Sequence, residues 1–296
     1  AVNSPASALR QISMNVNVHT NGAPVDFATH CSAIQEEGYT VFTDVLSEAE
    51  ITAYRAALQP WLDKDLCGRN VFEGTRSHRV YAMLAKNPIF AELVTHPLAL
   101  TLAEHFLGES CLLSACLAIE LMPGESAQPW HTDDGHVSLK PPHKILGISA
   151  FWAFSFTFVE NGATEVLPRS HLWAEQDLPG ALTAVDFDNT DGVDEAADHE
   201  CHSAAKTVTL TAGSLMVARG DLWHRGGANL SGGSRLIVTP QYCAGWLRPL
   251  ETMLLTMTPA QVAAFPERLQ ALLGYSIHAP FMGYVDGMHP KRILGA

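Results

Sequence analysis

The stretch KILGISAFWAFSFTFV, residues 144–159, is dense in β-branched and aromatic side chains and is typical of a buried strand. Similar runs occupy residues 112–122, 207–210, 214–218 and 235–242. Turn-forming pairs separate the runs: Pro123-Gly124, Asn161-Gly162, Ala212-Gly213 and Gly232-Gly233. Several short strands at this spacing predict two packed β-sheets in the middle of the chain, and a jelly roll is the simplest such arrangement.

Helical patterns come before this β-rich region. In residues 47–62, Ser47 and Glu50 form a capping-box pattern ahead of apolar residues at helical spacing. Residues 88–106 are also predicted to be helical, with a restart at His96-Pro97, where proline can occupy a first turn, and with Gly108 where a C-terminal cap belongs. We therefore expect the segment 30–108 to be mostly helical.

A second helical region follows the strands. Thr258, Pro259 and Gln261 place a cap, a first-turn proline and a capping-box partner in order. The expected fold is mainly β with flanking helices: a double-stranded β-helix (a jelly-roll, cupin-like core) buttressed by N- and C-terminal helices. No linker divides the chain, so residues 1–296 are predicted to form one domain, with the jelly-roll core over 111–246 and a C-terminal helical segment over 247–296.

Composition limits the classes of partner. The 296 residues are 47% hydrophobic and 17% charged, which is typical of a folded protein with a sizeable core. The formal net charge of −13 and the lack of a basic stripe argue against nucleic acid as a partner. The longest apolar run, residues 146–159, is shorter than the roughly 20 residues of a membrane helix, so no membrane span is expected.

The six cysteines lack the dense, regular spacing of a disulfide framework and are expected to be reduced. Residues 1–21 are polar and do not have the pattern of a secretory signal. Together these two features predict a cytoplasmic protein.

Residues 185–200 contain seven acidic residues and few apolar ones, which predicts an exposed loop. A calcium-binding loop is excluded because Asp191 and Ala197 stand where such a loop requires glycine and glutamate. The loop is long enough to act as a lid over a barrel mouth, and the sequence leaves its role open.

Two histidines and an aspartate are candidate metal ligands. His131 and Asp133 are two residues apart, so at a strand end they would point to the same face. His224 follows one predicted strand and precedes another. Two imidazoles and one carboxylate hold iron(II) while leaving positions open for oxygen chemistry. With fourteen histidines in the chain, an inert buried histidine is the alternative for each.

Arg235 begins a predicted strand, between Gly232-Gly233-Ser234 and the apolar residues 236–238. A surface position is the ordinary alternative, but an inward arginine here would require a partner. Its planar guanidinium can bind both oxygens of a carboxylate. Together with the metal ligands, it points to an iron oxygenase that consumes 2-oxoglutarate.

Three ordered segments carry a family resemblance: QPWHTDDGH (128–136), VENGATEVLPRSH (159–171) and LWHRGGANLSGGSR (222–235). They resemble the phytanoyl-CoA dioxygenase family over about residues 120–242. The tail LLGYSIHAPFMGYVDGMHP (272–290) is similar to family members that tailor terpenoid, meroterpenoid and alkaloid natural products. The sequence departs from the family at Arg169, where glycine is usual, and this leaves the conformation of that loop open.

The resemblance implies a role for each motif residue. His131, Asp133 and His224 would bind Fe(II), and Arg235 would bind the distal carboxylate of 2-oxoglutarate. Gln128 and Thr164 would help to fix its other end, although Thr164 could equally be a strand residue beside a turn. The implied reaction consumes O2, converts 2-oxoglutarate to succinate and CO2, and oxidises an unactivated C–H bond of a small, hydrophobic natural product. The intact carboxylate ligand favours hydroxylation, desaturation or rearrangement over halogenation.

Substrate contacts are harder to predict. Large apolar side chains near the metal motifs would suit a hydrophobic ligand, although each is individually more typical of a core: Phe72, Trp130, Trp152, Trp223 and Cys243. The basic cluster of Arg76, His78 and Arg79 is predicted to lie in a loop; it could meet an anionic group, but a solvated surface is the favoured interpretation. Asp134 and His136 are left without an assigned role.

Two other functions remain open. A cupin-like metal-dependent isomerase or oxygenase would not need 2-oxoglutarate, and a jelly-roll binding module would turn over nothing. The helical termini and the family resemblance also make a homodimer the expected assembly.

Overall fold

The computed structural model describes residues 19–20, 23–137, 139–179 and 202–295. The acidic stretch 185–200 and Cys201 lie outside the described residues. In chain order, the strands are β1 His19–Thr20, β2 Ala23–Pro24, β3 Tyr39–Phe42, β4 Ser77–Val80, β5 Leu112–Leu121, β6 Gly147–Ala153, β7 Thr164–Val166, β8 Lys206–Thr207, β9 Leu215–Arg219, β10 His224–Gly226 and β11 Arg235–Cys243.

Two antiparallel sheets form the core. The larger sheet has the order β3-β9-β6-β11-β5-β4, and the smaller has the order β10-β7-β8. Isolated bridges link the loops between them, among them Thr157 with Leu210 and Asn161 with Asn229. The predicted fold class, a mainly β jelly roll with flanking helices, is confirmed.

Helices cover one face of the larger sheet. They are α1 Phe27–Glu36, α2 Glu48–Leu62, α3 Met83–Lys86, α4 Ala91–Val94, α5 Pro97–Leu107, α6 Met253–Thr256, α7 Pro259–Ala263 and α8 Glu267–Leu272. Short 3-10 turns occupy Pro88–Phe90, Ser170–Leu172, Glu175–Asp177 and Pro290–Leu294. Both predicted capping boxes form, at Ser47 with Glu50 and at Thr258 with Gln261. Within the described part of the chain, no helix has the length and apolar character needed to cross a membrane.

The flanking segments are less regular than the sequence patterns predict. Residues 88–106 form a 3-10 turn and two helices, and the second helix begins at Pro97, which confirms the predicted restart: Pro97 has no N–H to donate and holds His96 outside the helical conformation with ψ 129°. The segment 30–108 is mostly helical, as expected, and it also contributes the short strands β3 and β4 to the larger sheet. After residue 247, the helices are only four to six residues long.

Alternation along the central strands divides the side chains between two cores. Ile148, Trp152 and Val238 face the helices, while Phe151 and Ile237 face the smaller sheet. An ion pair of 2.6 Å between Arg268 and Glu104 joins α8 to α5. Helices from both ends of the chain therefore support the same sheet. The division into one domain over 1–296 stays a prediction.

Candidate metal and cosubstrate site

His131 and His224 are held side by side by their own backbones. The His131 N–H donates to the His224 carbonyl at 3.0 Å, and the His224 N–H donates to the His131 carbonyl at 2.9 Å. The two imidazole centroids are 4.4 Å apart. Because His224 begins β10 and His131 lies in the loop beside it, this antiparallel bridge joins two motifs that are far apart in sequence.

Backbone carbonyls fix the tautomer of each imidazole. Nδ1 of His131 donates to the Pro129 carbonyl at 2.9 Å, and Nδ1 of His224 donates to the Leu222 carbonyl at 3.0 Å. A carbonyl accepts only, so the proton of each neutral ring lies on Nδ1. In the neutral form of each ring, Nε2 therefore carries the free lone pair.

Asp133 completes the cluster. Its Oδ1 is 3.7 Å from His224 Nε2, and the ligand atoms of His131, Asp133 and His224 all lie within 4.8 Å of one another. Its other oxygen, Oδ2, accepts a hydrogen bond from the Ser149 hydroxyl on β6. This bond fixes the carboxylate with one oxygen available for a metal.

The three side chains fit a divalent iron. Burial, followed by the neighbouring His224, lowers the pKa of His131 to about 3. The imidazole is therefore neutral at physiological pH, as a metal ligand must be. Two imidazoles and one carboxylate on one side of a cavity are the ligand set of the facial triad in non-haem iron oxygenases, and His131, Asp133 and His224 match that set.

Arg235 begins β11 and lies in the same cavity as the triad. The side chain is buried, and it donates from Nη2 to the Gly162 carbonyl at 2.5 Å. Its Nε has no hydrogen-bond partner among the described residues. Burial, with a smaller contribution from Arg79, lowers the pKa of Arg235 to about 10, so the guanidinium remains charged. A buried cation with a free donor fits a ligand carboxylate.

Gln128 and Thr164 line the cavity with Arg235. The Gln128 amide donates to the Phe72 carbonyl at 2.7 Å and accepts from the Gly226 N–H at 3.0 Å. This side chain therefore connects the loop that carries Phe72 to β10. Thr164 is the first residue of β7. Contact between either residue and 2-oxoglutarate stays a prediction.

The cavity has a volume of about 1060 Å³ and is lined by residues from both sheets. Of the five residues predicted to contact substrate, Phe72 and Trp223 line it, and the Phe72 ring meets His131 edge-on at 4.8 Å. The other three lie elsewhere. Trp152 packs in the helix-facing core beneath His96, which corrects its expected role, because alternation along β6 points it away from the cavity.

Trp130 and Cys243 are buried outside the lining of the cavity. The Trp130 ring lies against the Arg225 guanidinium, whose Cζ is 4.6 Å from the ring centroid. Cys243 follows a register shift in β11 and lines only a small neighbouring void. Neither residue is placed to meet a ligand in the large cavity.

Several residues near the cavity had no predicted role. Arg79 was interpreted as part of a solvated loop, but it belongs to β4, is buried, and donates from Nε to the Glu73 carbonyl at 2.6 Å. The sequence Ser-His-Arg-Val of residues 77–80 has no alternation of polar and apolar residues that would have indicated this strand. Asp134, left unassigned, is buried beside Asp133, and burial raises its pKa to about 7. No sequence pattern indicated that Ser149 would meet Asp133.

Arg169, which stands where the family usually has glycine, adopts the backbone conformation that glycine favours. Arg169 has φ +66°, in the left-handed region that favours glycine. Its N–H donates to the Glu37 carbonyl at 3.0 Å, and its guanidinium is 3.5 Å from the Glu37 carboxylate. The turn that glycine usually makes is therefore formed here by arginine, with contacts to α1 and its C-terminal cap.

Comparison with known proteins supports the same interpretation. A family model described as phytanoyl-CoA dioxygenase matches residues 34–237. The dioxygenase af480 of Aspergillus fumigatus is 26% identical over 262 residues, covering 85% of this chain and 77% of the relative. The dioxygenase cnsJ of Penicillium expansum is 25% identical over 303 residues, covering 93% and 84%.

Solved structures share the fold. The epimerase SnoN in complex with Fe3+, alpha ketoglutarate and nogalamycin RO aligns with TM-score 0.55 and 22% identity, covering 74% of this chain and 84% of that one. HygX from Streptomyces hygroscopicus with nickel, 2-oxoglutarate and hygromycin B aligns with TM-score 0.56 and 16% identity, covering 75% and 88%. The chain belongs to the phytanoyl-CoA dioxygenase family of iron- and 2-oxoglutarate-dependent enzymes.

Proposed function

We propose that this dioxygenase oxidises an unactivated C–H bond of a small, largely apolar natural product, by hydroxylation, desaturation or rearrangement. The observation that carries the proposal is the meeting of three ligand atoms, from His131, Asp133 and His224, in one cavity with the buried guanidinium of Arg235. In this proposal 2-oxoglutarate is converted to succinate and CO2 as the substrate is oxidised.

Each residue has one task in this proposal. His131, Asp133 and His224 hold iron(II), which supplies the oxygen-activating chemistry when bound. Arg235 binds the distal carboxylate of 2-oxoglutarate, and its burial strengthens that ion pair by excluding water. Gln128 and Thr164 line the same cavity and help to fix the other end of 2-oxoglutarate.

The cavity favours an apolar substrate. One wall is formed by inward side chains of β5, β6 and β11, which are Leu117, Ile119, Leu121, Phe151 and Ile237. A pocket with such a wall and a few polar groups is typical of sites that bind small molecules. SnoN and HygX were solved with nogalamycin RO and hygromycin B, which supports a natural product as the substrate but does not bear on its polarity.

A cupin-like enzyme that does not use 2-oxoglutarate and a binding module without turnover are the two alternatives. Neither would need a buried arginine with an unused Nε in the metal cavity. Anaerobic loading with Fe(II), followed by exposure to air and 2-oxoglutarate, distinguishes them. We expect succinate to form, faster with a terpenoid or alkaloid substrate, which should gain or lose mass as an oxidation product. Iron retention without succinate would favour the first alternative.

Replacing a ligand tests the metal site directly. His131→Ala and Asp133→Ala should each lose retained iron while keeping the far-UV circular dichroism of the wild type, because each removes one of three ligands. His105→Ala, on α5, is the matched control and should retain iron. Iron per chain is measured after anaerobic desalting, and unchanged iron in both ligand variants would refute the assignment.

A further inference from the structure

A second cluster of metal-ligating side chains lies on the outer side of the larger sheet. Ser77 and Arg79 of β4 face the cavity, so His78 between them points to the opposite side. An isolated bridge pairs Cys67 with His78. Two backbone hydrogen bonds flank it, from Gly68 to Ser77 at 2.9 Å and from Arg79 to Leu66 at 3.0 Å.

Carboxylates meet both nitrogens of the His78 ring. Nε2 is 2.8 Å from Asp65 Oδ1, and Nδ1 is 3.1 Å from Glu120 Oε2. A neutral imidazole carries one N–H and can donate to only one of these oxygens. An imidazolium donates to both, so in either form the ring is held between two carboxylates, with Nε2 on the side of Asp65 and Cys67.

The thiol of Cys67 is the third group at this point. The ligand atoms of Asp65, Cys67 and His78 lie within 4.8 Å of one another. The Ser234 hydroxyl donates to Glu120 Oε1 at 2.8 Å, which leaves Oε2 to accept from His78 Nδ1. Glu120 therefore stands where the carboxylate partner of a metal-bound histidine stands in many metal sites.

We propose that Asp65, Cys67 and His78 form a second metal site, which binds Zn2+ through Asp65 Oδ1, Cys67 Sγ and His78 Nε2. Mixed sulfur, nitrogen and oxygen ligands suit zinc, and water would occupy a fourth position. On binding, the Cys67 thiol loses its proton to solvent and the ion is held by the thiolate. The absence of sulfur from the His131, Asp133 and His224 triad gives the two sites different preferences, since thiolate is a soft ligand.

The site would fasten a loop that reaches the iron triad. Residues 63–76 connect α2 to β4, and they carry Phe72, whose ring meets His131. On the cavity side, Arg79 donates to the carbonyls of Phe72 and Glu73. Zinc on the outer side would hold the beginning of the same loop to the other face of β4.

Cobalt(II) is the probe, because a cobalt–thiolate bond gives a charge-transfer band in the near ultraviolet. The background is the full chain with His131→Ala and His224→Ala, which removes the iron triad and leaves the outer cluster intact. We expect one equivalent of cobalt to generate the band and one equivalent of Zn2+ to abolish it. Adding Cys67→Ser should remove the band, whereas Cys31→Ala, which removes a thiol of α1, should not.

A measurement on the otherwise native chain covers the case in which the combined variants fail to fold. After loading with iron and zinc and then desalting, the native chain should hold one more equivalent of zinc than His78→Gln, while both retain the same iron. If the background chain keeps the far-UV circular dichroism of the native chain but produces no thiolate band, the proposal is overturned. A band that survives Cys67→Ser, or equal zinc in the native chain and His78→Gln, would also overturn it.

Discussion

Ser149 determines how the carboxylate ligand is presented. It is 2% exposed on β6, and its hydroxyl donates to Asp133 Oδ2, the oxygen that is not directed at His224. Because this hydrogen bond already fixes the orientation of the carboxylate, binding of a metal would not have to restrict the rotation of the Asp133 side chain. Hydrogen bonds of this kind, behind the ligands themselves, commonly contribute a factor of about 10–100 to metal affinity.

We predict that Ser149→Ala weakens iron(II) binding about 10–100-fold without unfolding the protein. Ser155→Ala is the matched control, because the Ser155 hydroxyl accepts from the Leu236 N–H at 2.9 Å on the same sheet but touches no proposed ligand. Anaerobic titration with iron(II) measures both affinities. Equal affinities in the two variants would show that Asp133 is positioned by other contacts.

Replacement of Arg235 should weaken the binding of 2-oxoglutarate and leave the binding of the metal unchanged. Removing one partner of a buried charge pair costs about 2–5 kcal/mol, so Arg235→Met should raise the KM for 2-oxoglutarate by roughly 30-fold to a few thousand-fold. Arg235→Lys should recover part of this loss, because lysine keeps the charge but not the two-pronged geometry. Steady-state succinate formation measures the effect, and exposed Arg76→Met is the control. An unchanged KM in Arg235→Met would move the carboxylate site elsewhere.

At the residue scale, sequence spacing predicted the atoms that meet but not what holds them. The pair His131 and Asp133 could be recognised from a two-residue interval, and family motifs supplied His224 and Arg235. The hydrogen bond from Ser149 depends on which strand lies beside the loop after Asp133. Trp152 was misplaced because an aromatic residue near a motif gives no indication of which face of its strand it occupies.

The first turn of α5 contains an element-scale pH sensor. His96 is the N-cap residue of this helix, and its Nδ1 accepts from the Leu98 N–H at 3.3 Å. Its ring lies edge-on to Trp152, with centroids 4.9 Å apart. Burial lowers the pKa of His96 to about 4, opposed in part by Glu50. Protonation would destroy the acceptor and place a positive charge at a helix N-terminus, where it is unfavourable.

The sign of the pH effect follows from these pKa values. Between pH 6.5 and 4 the unfolded chain binds a proton at His96 that the folded chain excludes, so this residue lowers the free energy of unfolding as the pH falls through that window. Partial solvent exposure reduces the effect to roughly 2 kcal/mol at pH 4. His96→Asn keeps a capping side chain and cannot titrate. Urea unfolding at several pH values measures the free energy of unfolding. Between pH 6.5 and 4 this free energy should fall less for His96→Asn than for the native chain. An equal fall in both proteins would contradict the prediction.

Long elements were predicted from sequence better than short ones. The strands β5 and β11 and the helix α2 were found nearly to the residue, because each has enough residues to show a period and clear end signals. The strands β4, β7 and β10 have three or four residues, too few for a pattern. These segments are strands because their backbones pair with other strands, β4 with β5 and β7 with β10. The paired residues are far apart in sequence, so a local pattern does not show the pairing.

At the scale of the whole molecule, the expected homodimer stays a prediction. Size-exclusion chromatography with light scattering, which measures the molar mass in solution, would test it. The acidic residues 185–200 lie outside the described part of the chain, so their possible role as a lid also stays open to experiment. What the fold does establish is a single cavity that connects the triad to Arg235. Occupation of that cavity should therefore stabilise the folded protein in two separable steps.

Any ligand that binds only the folded state raises stability by mass action, by about 2.7 kcal/mol at one hundred times its Kd. For a chain of this size that corresponds to a rise in Tm of roughly 4 °C. Nickel is a useful inert substitute for iron, since HygX was solved with nickel and 2-oxoglutarate bound. We predict that nickel raises the Tm of the native chain and that 2-oxoglutarate raises it further, but only when nickel is present.

Two variants separate the two steps. In Asp133→Ala, the rise in Tm caused by nickel at the triad should be lost because one ligand is missing. The further rise caused by 2-oxoglutarate should be lost with it. Arg235→Met should keep the nickel increment but lose most of the second, because its metal ligands are intact while the carboxylate has no partner. Differential scanning calorimetry measures each increment. If 2-oxoglutarate stabilised Arg235→Met as much as the native chain, the metal and the guanidinium would not act on one bound molecule, and the shared cavity would need another ligand.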